Sequence, residues 1–465
     1  MAATTDDMRR GPGPDEPEGG LAGYFGFRER GTTLGTEMRA GLTTFMVMAY
    51  IIFVNPAILT AGFKNADPAF TGAALAAGTA LIAGIMTIAM GLIGRYPFAL
   101  AAGLGINAIV AFTLTAKGLS PAGAMGVIVI EGLVVTVLVL VGLREAIMNA
   151  VPLALKRAIG VGIGLFILFI GFANGGLIKA GSGTLVTVSF PTTAAQFVFI
   201  IGLVITILLY VMKIRAALII SILATTIIAL LMGVATIPPD FSVTPSFTTL
   251  GKFNLTEVFD PAKLPLIVAL LTIFAIMLTD FFDTIGTVTG VAAEAGLSRP
   301  DGSVPGVGRV LMVDSLAAVA GGLGGVSSNT TYIESAAGVA EGGRTGLTSV
   351  VTGVLFLLAV FLSPIAGIVP GVATAPALVL VGYLMFTIIR DIPVNDIEEG
   401  LPALLTMILM PLTYDITVGI GAGFIAWTLI KLVRGKVGQI HPLMWLVSAM
   451  FLIFFAQEWI ASLVK

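Results

Sequence analysis

Residues 264–296 read LPLIVALLTIFAIMLTDFFDTIGTVTGVAAEAG, an apolar run that carries two carboxylates, Asp280 and Asp283, well inside it, besides Glu294 near its end. About 20 predominantly apolar residues cross a bilayer as a helix, so the run predicts a transmembrane span. Three residues apart, the two acids fall on one helical face, with Thr284 and Thr287 extending the stripe. An ionisable group at the centre of a span costs roughly 2.5–3.5 kcal/mol on insertion scales and marks a functional site by default. A capped, broken helix would excuse one such charge; two in phase point to a site.

The rest of the chain is of the same kind. Of its 465 residues, 57% are hydrophobic and 11% charged, with a mean hydropathy of +1.05, whereas soluble domains carry about 25% charged residues. The apolar runs are continuous and not alternating, so the fold class is an all-α polytopic membrane protein and not a β-barrel. The 57 glycines suggest close helix contacts and broken segments. There is no cysteine and one histidine, His441. Disulfides, thiolate nucleophiles and Cys- or His-rich metal sites are therefore not expected, nor is an enzyme built on them, and no resident cofactor is foreseen. No basic cluster suggests nucleic acid; the bilayer is the expected partner.

Residues 1–23 are polar, rich in Gly, Pro and acids, and lack an apolar core, which predicts a disordered cytoplasmic tail and not a signal peptide. Phe25, Phe27, Arg28, Arg30 and Arg39 mark an interfacial segment before the first span. Apolar runs follow at about 41–60, 69–94, 98–115, 122–142, 151–173, 195–212 and 216–235, giving a first unit, 24–236. A polar connection, 237–263, with Pro238, Pro239 and Asp240, separates it from a second unit, 264–465. The second unit's runs are 264–295, 309–325, 328–340, 346–369, 373–389, 401–433 and 442–461. The run 401–433 is interrupted at Met410-Pro411 and either crosses once, bent, or turns back. Arg95, Arg144, Lys213 and Arg215 fall between alternate spans, so the N-terminus is expected inside and the 237–263 loop outside. Arg299, Arg309, Arg344 and Arg390 continue the pattern, and Lys431, Arg434 and Lys436 join it only if 401–433 crosses twice.

Leu42-Thr43-x-Phe45-x-Val47-Met48 matches Leu271-Thr272-x-Phe274-x-Ile276-Met277 at an offset of 229. With seven runs per unit, the second copy enters from the opposite face, as in inverted-repeat transporters. The offset pairs the third run, from Pro97, with the tenth, GGVSSNTTYIESAAGVAEGG, and sets Gly105 on Glu334. Both are too short and Gly-rich for plain spans and read as an extended part followed by a brief helix. Paired interrupted segments are the best sequence pointer to a substrate site. They deliver helix N-termini, rich in free N–H groups, near Gly105-Ile106-Asn107 and Glu334. With Asp280, Asp283 and Glu334 as acceptors, the combination suits a neutral heterocycle better than a simple ion. Asn107 and Glu334 also make sense as helix-start residues, Tyr332 as packing and Glu131 as a paired or interfacial acid. Glu294 and Glu341 read as solvated, and Asp314 stays open.

Several strings carry a resemblance. Gly31-Thr32-Thr33, Glu37-Met38-Arg39-Ala40-Gly41-Leu42-Thr43-Thr44-Phe45, Asn55-Pro56 and Gly105-Ile106-Asn107-Ala108 are joined by Asp280-Phe281-Phe282-Asp283-Thr284-Ile285-Gly286-Thr287. Tyr332-Ile333-Glu334-Ser335-Ala336-Ala337-Gly338 and Gly342-Gly343-Arg344-Thr345-Gly346-Leu347 complete the set. From about residue 24 to the C-terminus the chain resembles the nucleobase–cation symporter family of purine, xanthine and uracil permeases, in its AzgA-like adenine–guanine–hypoxanthine branch. The resemblance implies about 14 transmembrane segments in two inverted seven-span repeats with short strand–helix third and tenth segments. It implies a core of spans 1–4 and 8–11, a gate of spans 5–7 and 12–14, and a homodimer through the gate, in the plasma membrane. It also implies a purine site at Asn107, Asp280, Asp283 and Glu334 with Gly105 beside them. Thr331 and Tyr332 join that site within Asn329-Thr330-Thr331-Tyr332-x-Glu334. The wider family usually has Glu where Asp283 stands, so either Asp is a candidate for the direct ligand. Proton-coupled purine import follows, since burial disfavours a carboxylate's charged form. Sodium coupling, or a passive or anion-selective exchanger on the same fold, are the alternatives.

Overall fold

The computed structural model describes residues 20–64, 66–142, 150–237, 243–261, 263, 265–299 and 303–464, with 457–464 by backbone alone. Most of the expected tail, Arg144, Pro238, Pro239 and Asp240 lie outside these residues. Helix α1 (Gly20–Phe25) begins three residues before the expected end of the tail, and Phe25 and Phe27 pack on Leu347.

The first span is two helices, α2 (Leu34–Met48) and α3 (Ile51–Phe63), separated at Ala49–Tyr50. Pro56 lies within α3, where it lacks the N–H that the carbonyl one turn back would accept. Next come α4 (Gly72–Ala89), which runs on as a π-helical turn over Met90–Gly94, β1 (Leu100–Ala102), and α5 (Leu104–Ala108). A wide π-helical stretch, Ile109–Leu114, extends α5. Ser120 caps α6 (Pro121–Leu140) by accepting from the Gly123 N–H, with proline at the first position where no N–H is needed. Then follow α7 (Leu153–Asn174), the hairpin β2 (Ile178–Lys179) and β3 (Thr187–Val188), α8 (Ala194–Val211) and α9 (Ala217–Leu231).

The second unit opens with the short α10 (Leu255–Val258), then α11 (Leu266–Glu294), α12 (Val307–Gly324), β4 (Asn329–Thr331) and α13 (Ser335–Ala340). It continues with α14 (Gly346–Ala359), α15 (Ser363–Ala366), α16 (Gly371–Phe386), α17 (Ile397–Thr413), α18 (Ile416–Val433) and α19 (Pro442–Val464). Among the described residues, ten helical stretches are long and apolar enough to cross a bilayer.

The 401–433 run is a helical hairpin. Pro411 stays inside α17, and the break falls later, at Tyr414, whose φ is +56°, and Asp415, which caps α18 through the Thr417 N–H at 2.8 Å. Lys431 Nζ, at the far end of α18, lies 2.7 Å from Glu398 at the start of α17, so the helices are antiparallel. Helix α19 turns back along α18, with Thr428 and Ser448 hydroxyls 2.8 Å apart and Phe424 edge-on to Phe451. The second unit thus holds one apolar segment more than its seven runs.

The helices pack in two sets. In one, α7 lies along α16 and α17, α8 and α9 sit on α16, and α17, α18 and α19 stack in order. In the other, α12 packs on α6, and α14 packs on α2 and α4. The α4–α14 approach is backbone on backbone: a Cβ on Gly346 would stand 2.0 Å from the Gly91 carbonyl oxygen. Small residues allow such contact where apolar burial cannot drive helix association.

Candidate functional site

The third and tenth segments meet. Strands β1 and β4 pair antiparallel, with Leu100 opposite Thr331, Ala101 opposite Thr330 and Ala102 opposite Asn329. Two flanking hydrogen bonds extend the ladder, Gly103 N–H to the Ser328 carbonyl and Tyr332 N–H to the Ala99 carbonyl, each 2.9 Å. Extended backbone inside a bilayer needs such pairing because no water is at hand to satisfy it. Helices α5 and α13 leave this small sheet in opposite directions, so both their N-termini lie beside it. The Ser335 hydroxyl accepts from the Ala99 N–H, and the Tyr332 hydroxyl donates to the Ala102 carbonyl.

Each strand is held from behind by its neighbouring long helix. Thr87 of α4 accepts from Leu100 N–H at 2.9 Å and donates to the Leu100 carbonyl at 3.1 Å. Asp314 of α12 does more. One carboxylate oxygen accepts from the Thr331 N–H and hydroxyl at 3.0 and 2.8 Å, and the other from the Thr284 hydroxyl of α11 at 2.7 Å. Asp314, left open by the sequence, is the buried tie between the two elements that carry the acids.

The two aspartates of α11 do not play the same part. Asp280 is fully buried on the stripe with Thr284 and Thr287, the side facing Asp314 and the strands. Asp283 is solvent-accessible, although protein surrounds it, and lies within electrostatic range of Asp314 and Glu334. It therefore opens into a crevice. The expectation that both acids share one face needs this correction: an i, i+3 pair is offset by about 60° around a helix with 3.6 residues per turn. Here that offset separates interior from crevice. Glu334, half-buried, accepts from the Tyr50 hydroxyl at 2.7 Å. Tyr50 is fully buried at the break between α2 and α3 and was not among the expected site residues. Its signal was a phenol in the middle of an apolar run.

Asn107 of α5 is fully buried, and neither its amide nitrogen nor its oxygen has a hydrogen-bond partner among the described residues. Burying such a group without partners costs on the order of 1–3 kcal/mol, which makes the amide a candidate for binding a ligand or an ordered water. Gly105 lies against α7, where an added Cβ would come 2.8 Å from Ile163 Cγ2. Thr331 faces Asp314 and not the crevice. Glu131 is buried within α6, and Glu341 is ion-paired with Arg215 instead of simply solvated. A cavity of about 590 Å³ between the ends of α3, α7 and α16 contains none of these acids. Convergent polar groups, and not cavity size, locate the site.

Paired strands that lead into short helices, set among long apolar helices that carry buried carboxylates, make a frame suited to a membrane permease. The chain belongs to the permease family, whose xanthine/uracil permease model matches residues 35–422. It is 40% identical to the guanine/hypoxanthine permease PbuG of Bacillus subtilis, over 93% of this chain and 98% of that one. It is 39% identical to the adenine permease AdeP of Escherichia coli, over 94% and 96%. Among solved structures, the transmembrane domain of the cyanobacterial bicarbonate transporter BicA aligns with a TM-score of 0.61 at 16% identity, covering 83% of this chain and 97% of that one. Murine Slc26a9 in its inward-facing state aligns with a TM-score of 0.63 at 12% identity, covering 92% and 74%. These two show the fold alone. The protein is a multi-pass transporter and not an enzyme.

Proposed function

We propose that the chain is a secondary active transporter that imports purine nucleobases (hypoxanthine, guanine and adenine) by proton symport. The relatives' names supply the substrate class. The observation that carries the site is that two accessible carboxylates, Asp283 and Glu334, lie within electrostatic range of each other, on α11 and at the start of α13, while α11 also packs on α5, whose buried Asn107 amide has no partner among the described residues. Carboxylates accept the purine N–H groups, while the amide and N-terminal N–H groups donate to its carbonyl and ring nitrogens. Asp283 and Glu334 touch the base. Asp280, behind them, belongs to the coupling machinery, with H⁺ as the driving ion and Na⁺ as the alternative.

The repeats are inverted. Ala101 and Thr330 are 229 residues apart, the repeat offset, and they are also the middle pair of the antiparallel strands. A residue paired with its own repeat mate lies on a pseudo-twofold axis. Helices α2–α9 and α11–α18 are then the two copies and α19 an addition. One helix set is the moving core (spans 1–4 and 8–11) and the other the gate (spans 5–7 and 12–14), also the surface for a homodimer. The N-terminus faces the cytoplasm in the plasma membrane.

Uptake of labelled hypoxanthine, competed by adenine, guanine, xanthine and uracil across pH, tests this reading. Asp283→Asn, Asp280→Asn and Glu334→Gln are expected to lose accumulation; undiminished uptake in all three sinks the site. Facing helix N-termini would also suit an anion, as in the alternative exchanger, but three nearby acids oppose one. Counterflow indifferent to both pH and Na⁺ would favour it.

A further inference from the structure

Among the described residues two ion pairs join the helix sets, one at each end of the molecule. Lys117 follows the third segment, and its Nζ lies 2.7 Å from Asp415 in the α17–α18 turn. Glu341 ends the tenth segment and pairs with Arg215 in the α8–α9 turn. In each, the end of a short site helix in one repeat grips the turn between the last two helices of the other repeat's gate. The charges are reversed: the core supplies the cation at one end and the anion at the other. Resting on the alternating-access reading above, we propose that these pairs are reciprocal latches that hold the present conformation against core movement.

The latches are unequal. Around Lys117–Asp415 the side chains are only 17% and 16% exposed, and the contact is reinforced. The Thr113 hydroxyl donates to the Tyr414 carbonyl at 3.3 Å, and the Tyr414 ring meets Phe112 of the core and Phe166 and Phe169 of α7. The Lys117 ammonium also lies 5.5 Å from the Phe454 ring of α19, which gives the added helix a task as backing for this latch. Arg215 is 59% exposed and Glu341 26%, with no comparable aromatic cluster among the described residues. Exposed pairs contribute little, while partly enclosed ones are screened less. The sliding of the core separates both pairs, and the Lys117 latch carries most of the hold.

The chain has no cysteine, so one introduced thiol is an unambiguous reporter. Gly286 sits one turn from Asp283 on the exposed side of α11 and has open space for a side chain. The rate at which a membrane-impermeant maleimide labels Gly286→Cys in vesicles of each orientation, without substrate, reads the population of this conformation. Lys117→Ala and Asp415→Ala should each slow labelling at least about twofold. The charge swap Lys117→Asp with Asp415→Lys should restore it. Arg215→Ala should act in the same direction but less. Size-exclusion profiles and the swap distinguish a latch from misfolding. Unchanged labelling in Lys117→Ala and Asp415→Ala, in a protein that still takes up purine, overturns the latches. Absence of purine uptake in the unmutated chain overturns the transport reading instead.

Discussion

Leu100–Ala102 and Asn329–Thr331 lie side by side as strands of one small sheet, and each leads into a short helix. Their side chains have little in common. The first strand is Leu-Ala-Ala, braced by a neutral threonine; the second is Asn-Thr-Thr, braced by a carboxylate. The first segment thus contributes mainly backbone and a helix N-terminus, the second the acid Glu334 and the contact to Asp314. The ladder allows this division because it needs only backbone groups and leaves the side chains free to diverge.

The largest expected effects fall on the acids, and Gly105, 229 residues before Glu334, is the control. Glu334→Gln and Asp283→Asn should lower uptake on the order of 100-fold, the scale of losing charge-assisted hydrogen bonds to the base. Gly105→Ala, at the position matching Glu334, presses only on the Ile163 side chain of α7. It should raise KM about tenfold or less. Equal losses at 105 and 334 would mean that both short segments bind the base directly.

The braces come next. Asp314→Ala frees the Thr331 N–H and two hydroxyls inside the protein, which should cost about 3 kcal/mol. Thr87→Val removes a neutral brace and should cost about 1 kcal/mol. Thermal melting in detergent, alongside uptake, measures both. Asp314→Ala should lose transport even where it folds, because Thr284 and Thr331 set the spacing between α11 and the tenth segment.

Much of this was legible before any coordinates. Continuous apolar runs gave the class, and Gly- and Ser/Thr-rich breaks located the third and tenth segments, because extended backbone at membrane depth leaves that compositional mark. The offset paired the third run with the tenth, and strands from those two runs lie side by side. What stayed hidden depended on the rotation and partnering of single side chains. Asp280 and Asp283 differ by a sixth of a turn, which separates interior from crevice. Asp314 and Tyr50 act through residues distant in sequence, Thr331 and Glu334, and no local pattern announces such contacts. The α17–α18 break was expected at Pro411, but a helix tolerates proline where neighbours satisfy the freed carbonyl, and Tyr414 with the Asp415 cap ends it instead.

The smallest expected difference concerns two acids that cap helices of the other half of the chain. Glu37, at the start of α2, accepts from the N–H groups of Arg344, Thr345 and Thr348 and from the Thr348 hydroxyl at 2.6 Å, at the start of α14. Glu257, before α11, accepts from the N–H and hydroxyl of Ser120 at 3.0 and 2.9 Å, at the start of α6. The first is fully buried; the second has a side chain 15% exposed and also pairs with Lys263 at 3.1 Å. Glu37→Gln should therefore cost about 2 kcal/mol and Glu257→Gln about 1 kcal/mol or less. Burial pushes the Glu257 carboxyl up, but the Ser120 N–H, Lys263 and the Ser120 hydroxyl outweigh it and hold it below the usual carboxylate range. A depressed folded-state value means the stabilisation is complete above the unfolded carboxyl's value of about 4.3 and fades as pH falls through the folded one. The melting temperature of the unmutated protein should thus drop more steeply on acidification below about pH 4.3 than that of Glu257→Gln. Parallel curves would mean that the Ser120 contact holds helix α6 by shape alone, and the likeness between the two caps would be one of position and not of energy.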